Sequence, residues 1–131
     1  MKILDIIRSN IGVMTLNETD LFIVEMANFL ADVTDLPANI VLWTQPQPNE
    51  LPHTKYRMKV YKDRVHSSTF TIGANPTKVW EVRNTKYQLN AYEESEVIRV
   101  ISAYASLFVQ LVDNKMTGED VKREIKRIKG T

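Results

Sequence analysis

The sequence contains no cysteine, and this absence excludes several classes of function at once. Without a thiol, the chain has no disulfide framework, no cysteine nucleophile and no thiolate zinc site. Cysteine-free chains suit the reducing cytosol, so we expect a cytoplasmic protein. Thiol redox chemistry is excluded as a function.

Glycine and long apolar runs are also scarce. Only four glycines occur in 131 residues, and neither GxxxxGK[ST] nor GxGxxG is present. Because these patterns cradle phosphates, a standard nucleotide hydrolase is disfavoured. No apolar run exceeds four residues, whereas ~20 are needed to span a bilayer. The first ten residues carry charges within their apolar stretch, unlike a signal peptide, so no membrane association is predicted.

Histidine is represented by His53 and His66 alone, and neither has a second strong metal ligand at diagnostic spacing. His66 precedes the hydroxyl residues 67–69, but neighbouring residues on a strand point to opposite faces, which disfavours a nucleophile and base pair. The acidic cluster at 93–96 suits the first turn of a helix. We therefore predict no catalytic residue, no metal, no cofactor and no enzyme activity.

The composition is that of one ordinary globular domain, with 44% hydrophobic and 25% charged residues. We predict a single α+β domain over residues 1–131, in which two long helices and short terminal helices flank a mainly antiparallel sheet of four or five strands. The predicted strands cover residues 38–44, 54–62, 65–72, 78–83 and 86–89. Predicted helices cover residues 2–9, 16–33 and 91–114, and a last helix begins at residue 117.

The two long predicted helices each begin with a capping-box pattern and offer surfaces for self-association. Thr15 with Glu18, and Asn90 with Glu93, supply the reciprocal bonds of such a box. The helix over 16–33 is apolar around most of its circumference, so it needs cover on more than one side. That cover is either the rest of this domain or a second copy of the chain. Small residues on the helix over 91–114 are a second route to a homo-oligomer.

A β-hairpin over residues 54–72 carries the most distinctive pattern. Cationic and apolar side chains alternate along its first strand, which predicts one basic face and one core face. Residues 51–92 hold eight Lys and Arg against two Asp and Glu, whereas residues 1–50 hold two against seven. Either the acidic and basic segments attract each other within the fold, or they mark two different surfaces. In the second case, phosphates or another anionic partner would suit the basic face. The predicted binding residues are Lys55, Arg57, Lys59, Tyr61, Lys62 and Arg64.

A series of short motifs runs along residues 36–115. In order they are Leu36-Pro37, Leu42-Trp43-Thr44, a proline-bearing loop, the Tyr-Arg-Met-Lys-Val hairpin, Phe70-Thr-Ile72, Asn75-Pro76 and a capped long helix. This order resembles that of small phage and bacterial mobile-element proteins that form a domain of unknown function. The resemblance implies an α+β fold and a phage or mobile-element setting, and it implies no catalytic residue.

Three functions follow from these observations. The leading hypothesis is a non-enzymatic binding or regulatory protein, a phage or mobile-element accessory factor that acts on a host protein as a homo-oligomer. The second is a nucleic-acid-binding protein that uses the hairpin over 54–72. The third is a protein that binds or sequesters a small anionic or aromatic ligand. In it Trp80, Tyr56 or Tyr61 would stack on a ring, and Arg57 or Arg83 would meet an anion.

Overall fold

The computed structural model describes residues 34–47 and 50–130. The helices predicted over 2–9 and 16–33, and the oligomer surface predicted on the second of them, lie outside these residues. In chain order the described elements are β1 (Ile40–Trp43), α1 (Pro52–Lys55), β2 (Arg57–Lys62), β3 (Val65–Thr71), β4 (Lys78–Glu81), a 3₁₀ helix (Thr85–Tyr87), α2 (Ala91–Ala103), α3 (Ala105–Val112) and α4 (Gly118–Lys129).

The four strands of the described chain form one antiparallel sheet in the order β1-β2-β3-β4. Each strand pairs with its neighbour in sequence, as short connections require. The prediction of an α+β fold with a mainly antiparallel sheet is therefore confirmed. The fifth strand predicted over 86–89 is not formed. Instead, the Asn84 side chain accepts a hydrogen bond from the Lys86 amide and caps the 3₁₀ helix.

A two-residue turn joins β2 to β3. Asp63 and Arg64 both have positive φ, 52° and 68°, which is the backbone of a type I′ turn. The Asp63 amide donates to the Asn39 carbonyl at 3.0 Å, and the Asn39 amide group donates to Asp63 Oδ1 at 3.2 Å. These two bonds tie the turn to the residue that precedes β1.

Strand β3 contains two irregularities in its pairing. One lies opposite Val60 and Tyr61, where Ser67 is the extra residue, and the other lies between Thr69 and Phe70. A bulge of this kind redirects the side chains beside it. As a result, His66 and Thr69 come together, with 2.8 Å between Nε2 and Oγ1.

One face of the sheet packs against the helices. Met58, Val60 and Phe70 on that face are fully buried, and burying side chains of this size contributes about 2 kcal/mol each. They belong to a single apolar cluster with residues from α2, α3 and α4. The fully buried helical members are Val97, Val100, Ile101, Phe108, Val112, Val121 and Ile125.

Capping boxes begin two of the helices. Asn90 and Glu93 exchange bonds of 2.8 and 2.9 Å at the start of α2, which confirms that predicted helix start. Thr117 and Asp120 do the same at α4. Reciprocal bonds of this kind satisfy amides that the helix itself leaves unpaired.

The single helix predicted over 91–114 is divided in the structure. Tyr104, with φ −119° and ψ 24°, separates α2 from α3, and the two helices are bent by 71°. Neither proline nor glycine lies at the break. Within the described ranges no single helix is long and apolar enough to cross a bilayer, although α2 and α3 together meet the criteria of length and composition.

Candidate binding face of the sheet

Strand β2 directs alternate side chains to the two faces of the sheet. Met58 and Val60 point into the core, whereas the residues between them are only partly buried. We call the face away from the core the outer face. By register and alternation it comprises Val41, Trp43, Arg57, Lys59, Tyr61, His66, Thr69 and Trp80.

Three rings form a row across this outer face. Tyr61 lies opposite His66, with ring centroids 5.3 Å apart. His66 in turn stacks on Trp80, with centroids 4.4 Å apart and ring planes inclined by 19°. Trp80 is 45% exposed although it is the largest ring of the three. We call Tyr61, His66 and Trp80 the aromatic row, and its exposed end lies on β4.

A cation lies beside the aromatic row. The Lys59 ammonium group lies 4.9 Å from the ring centroid of Trp43, which is only 7% exposed. Burial lowers the pKa of His66, and the positive charge of Lys59 lowers it further. No acidic side chain among the described residues forms an ion pair with Lys59. The outer face therefore combines flat rings with a positive charge.

Lys55 does not belong to this face, which corrects the alternation predicted over residues 55–60. Tyr56 packs against the apolar cluster, on the side that the alternation predicts for it. Residues 52–55 form α1, so the strand begins only at Arg57. Lys55 forms a 2.7 Å ion pair with Asp113 at the end of α3, and the Tyr56 hydroxyl donates to the same carboxylate at 2.8 Å. The hydrogen bond from Lys55 lowers the pKa of Asp113 and raises that of Lys55. Both predicted site residues thus join the hairpin to the helices.

Lys62 also has a structural partner. Its ammonium group donates to Glu93 at 2.8 Å and to the Gln88 carbonyl at 3.0 Å. The side chains of Lys62 and Glu93 are only 16% and 11% exposed. Burial by itself would raise the pKa of Glu93, but the bonds from Lys62 and from the Asn90 amide outweigh it and lower that pKa. Lys62 is therefore largely neutralised within the fold.

The predicted arginines lie in three different places. Arg57 is partly buried on the outer face, Arg64 is exposed at the tip of the β2–β3 turn, and Arg83 is exposed beyond the end of β4. Of the nine predicted site residues, the outer face brings together Arg57, Lys59, Tyr61 and Trp80. Arg83 lies two residues beyond the end of β4 and is not part of the aromatic row.

Trp43 and His66 belong to the outer face but were absent from the predicted site. Trp43 was assigned to a buried strand, and His66 was set aside as an ordinary strand residue. The alternation of β3 alone would not place His66 beside Trp80, because the bulge at Ser67 shifts the pattern by one residue. The sequence signal that was available is a histidine opposite a tyrosine across a two-residue turn.

The bond between His66 and Thr69 is the closest approach to a catalytic arrangement in the described chain. A hydroxyl beside a base is the minimum for nucleophilic catalysis, which also needs a group that orients the base and donors for an oxyanion. No carboxylate among residues 34–47 and 50–130 contacts His66. The same residues contain no group of three or more His, Asp or Glu side chains that could hold a metal ion.

Comparisons with protein-family models, curated proteins and solved structures find no match for the chain. The class is therefore defined by the molecule alone, as an α+β protein with an aromatic and cationic sheet face. The likeness to phage and mobile-element proteins stays a prediction from the sequence.

Proposed function

We propose that this chain is a non-enzymatic binding protein that recognises single-stranded nucleic acid through the outer face of its sheet. The observation that carries the proposal is the aromatic row, which ends in the exposed ring of Trp80 and lies beside Lys59. Aromatic rings on a sheet accept unstacked bases, and nearby cations neutralise the phosphates. Stacking of this kind tolerates any base, so we expect little sequence preference.

Ion pairs within the fold reduce the number of cationic side chains that are available to a ligand. Lys55 and Lys62 are paired with acids at the helical layer, so the predicted six-residue basic stripe is shorter in the fold. Lys59 supplies the charge next to the rings. On α4, Arg123, Arg127 and Lys129 also form ion pairs with acids. Few phosphate contacts imply modest affinity with a shallow salt dependence.

The small-ligand hypothesis keeps Trp80, Tyr61 and Arg57 on the outer face, whereas the Tyr56 hydroxyl is bonded to Asp113 in the helical layer. A host-protein target, a homo-oligomer, a cytoplasmic location and a phage setting stay predictions. Light scattering that gives a mass near 15.1 kDa at high concentration would contradict the oligomer.

The proposal is tested with a short fluorescent oligothymidine and fluorescence anisotropy at low salt. Trp80→Ala removes the exposed ring, and because base stacking contributes about 1–3 kcal/mol, we expect affinity to fall by about tenfold or more. Trp80→Phe keeps a smaller ring and should lose less. Tyr92→Ala is the matched control, because Tyr92 is an aromatic residue on α2 that is 66% exposed.

Three outcomes decide the matter. Equal loss in Trp80→Ala and Tyr92→Ala would show that the row has no particular role. No binding by the native protein at low salt would refute the proposal. A protein captured from a bacterial lysate that stays bound after nuclease treatment would return the regulatory hypothesis to first place.

A further inference from the structure

Arg64 has a backbone conformation that does not suit its side chain. Its φ of 68° lies in the left-handed region, where the Cβ of an L-residue crowds the backbone. Type I′ turns favour Asn or Asp followed by Gly, since both central residues need positive φ. Asp63 satisfies that preference at the first position. Arg64 occupies the second position, where glycine would be free of strain.

The Arg64 side chain forms no bond within the described fold that stabilises this conformation. Among residues 34–47 and 50–130, no hydrogen bond or ion pair involves the exposed Arg64 side chain. The bonds that hold the turn belong to Asp63, which joins both the backbone and the side chain of Asn39. Arg64 therefore contributes a strained backbone and a solvent-exposed guanidinium group. A residue that departs from the local conformational preference marks a candidate functional position.

We infer that Arg64 contacts a phosphate of the strand that binds the outer face, an inference that rests on the proposed function. The pairing order places the turn next to the aromatic row: Tyr61 faces His66, then Lys62 faces Val65, and then the turn follows. Two residues of strand span about 7 Å, which is within reach of an arginine side chain. The planar guanidinium group donates two parallel hydrogen bonds to a phosphate, which a lysine ammonium group does not.

The test compares Arg64→Gly with Arg64→Lys in the full chain. Arg64→Gly removes the strain and the charge together, so its melting temperature should rise by about 4 °C. Its affinity for the labelled oligothymidine should fall by about fivefold, and the slope of log affinity against log salt should decrease by about one. Arg64→Lys keeps the strain and the charge. Its melting temperature should therefore equal that of the native protein, and it should lose less affinity than Arg64→Gly.

The outcomes separate this inference from the proposed function. If the native protein binds, Trp80→Ala loses affinity and Arg64→Gly keeps both native affinity and salt slope, the phosphate contact is refuted while the binding face stands. An unchanged or lower melting temperature for Arg64→Gly would refute the strain argument. Absence of binding by the native protein would overturn both the contact and the face.

Discussion

Strand β2 contributes side chains to both faces of the sheet. Among the described residues, its lysine on the helical side pairs with an acid, whereas its lysine on the outer face does not. On the helical side, Met58 and Val60 are fully buried, and Lys62 at the end of β2 is neutralised by Glu93. On the outer side, Lys59 contacts the ring of Trp43 and forms no ion pair with an acid of the described chain. A cationic side chain in the sequence therefore stays available for a ligand only where the fold supplies no acid to pair with it.

The largest loss of stability should come from a cavity in the apolar cluster on the helical side of the sheet. Phe70→Ala removes a fully buried ring, and such a cavity costs about 4 kcal/mol of unfolding free energy. Thr69→Ala, the neighbouring residue on the outer face, should cost less than about 1 kcal/mol. Urea denaturation followed by circular dichroism measures both. Similar losses in the two variants would contradict the assignment of the faces.

A smaller effect should follow from disrupting the ion pair on the helical side. Glu93→Ala removes both the partner of Lys62 and the capping box of α2, and we expect a loss of about 2 kcal/mol. Glu93→Gln keeps an oxygen for the Asn90 amide and should lose about half as much. If both variants were equally unstable, the charge and not the cap would account for the effect.

The same pair predicts how stability depends on pH. Because the folded protein lowers the pKa of Glu93, its contribution is complete above the unfolded pKa of about 4.3 and is lost as pH falls through the lower folded value. Glu93→Gln should flatten the decline in this acid range. The comparison is made by urea denaturation at a series of pH values.

The smallest expected effect is on the pKa of His66, on the outer face. His66 should titrate below the ordinary pKa of about 6.5 when followed by NMR. Lys59→Met removes a nearby charge but not the burial, so it should raise the pKa of His66 only in part. Since the folded pKa is lowered, the unfolded state binds the proton more readily, and stability should decline as pH falls below about 6.5. An unchanged His66 pKa in Lys59→Met would show that the two side chains are electrostatically independent.

The parts of the fold that follow local rules were predictable. Alternation placed β2 and β3, and the Asn90 and Glu93 pattern placed the start of α2. The break at Tyr104 was not predictable, because apolar residues continue at helical spacing on both sides of it and neither proline nor glycine interrupts them. The short helix α1 was also missed, since its three-proline neighbourhood indicated an extended loop.

The candidate site was predictable only in part, for a physical reason. Alternation identifies the side of a strand, and it correctly grouped Arg57 with Lys59. It does not reveal a partner that is distant in sequence, such as Asp113 for Lys55 or Glu93 for Lys62. It also fails at a bulge: strict alternation from Phe70 would place His66 on the core face, whereas His66 lies opposite Tyr61 on the outer face.

The strand order has a consequence for synthesis of the protein. All four described strands emerge from the ribosome in the order in which they pair, so the sheet can assemble as it is made. The apolar cluster on the helical side of the sheet is incomplete until α4 is synthesised, because α4 supplies Val121 and Ile125. At a synthesis rate of ~5–20 residues per second, the interval between β4 and α4 lasts for seconds. During that interval the apolar cluster lacks Val121 and Ile125, and a ribosome stalled before α4 would hold the nascent chain in that incomplete state.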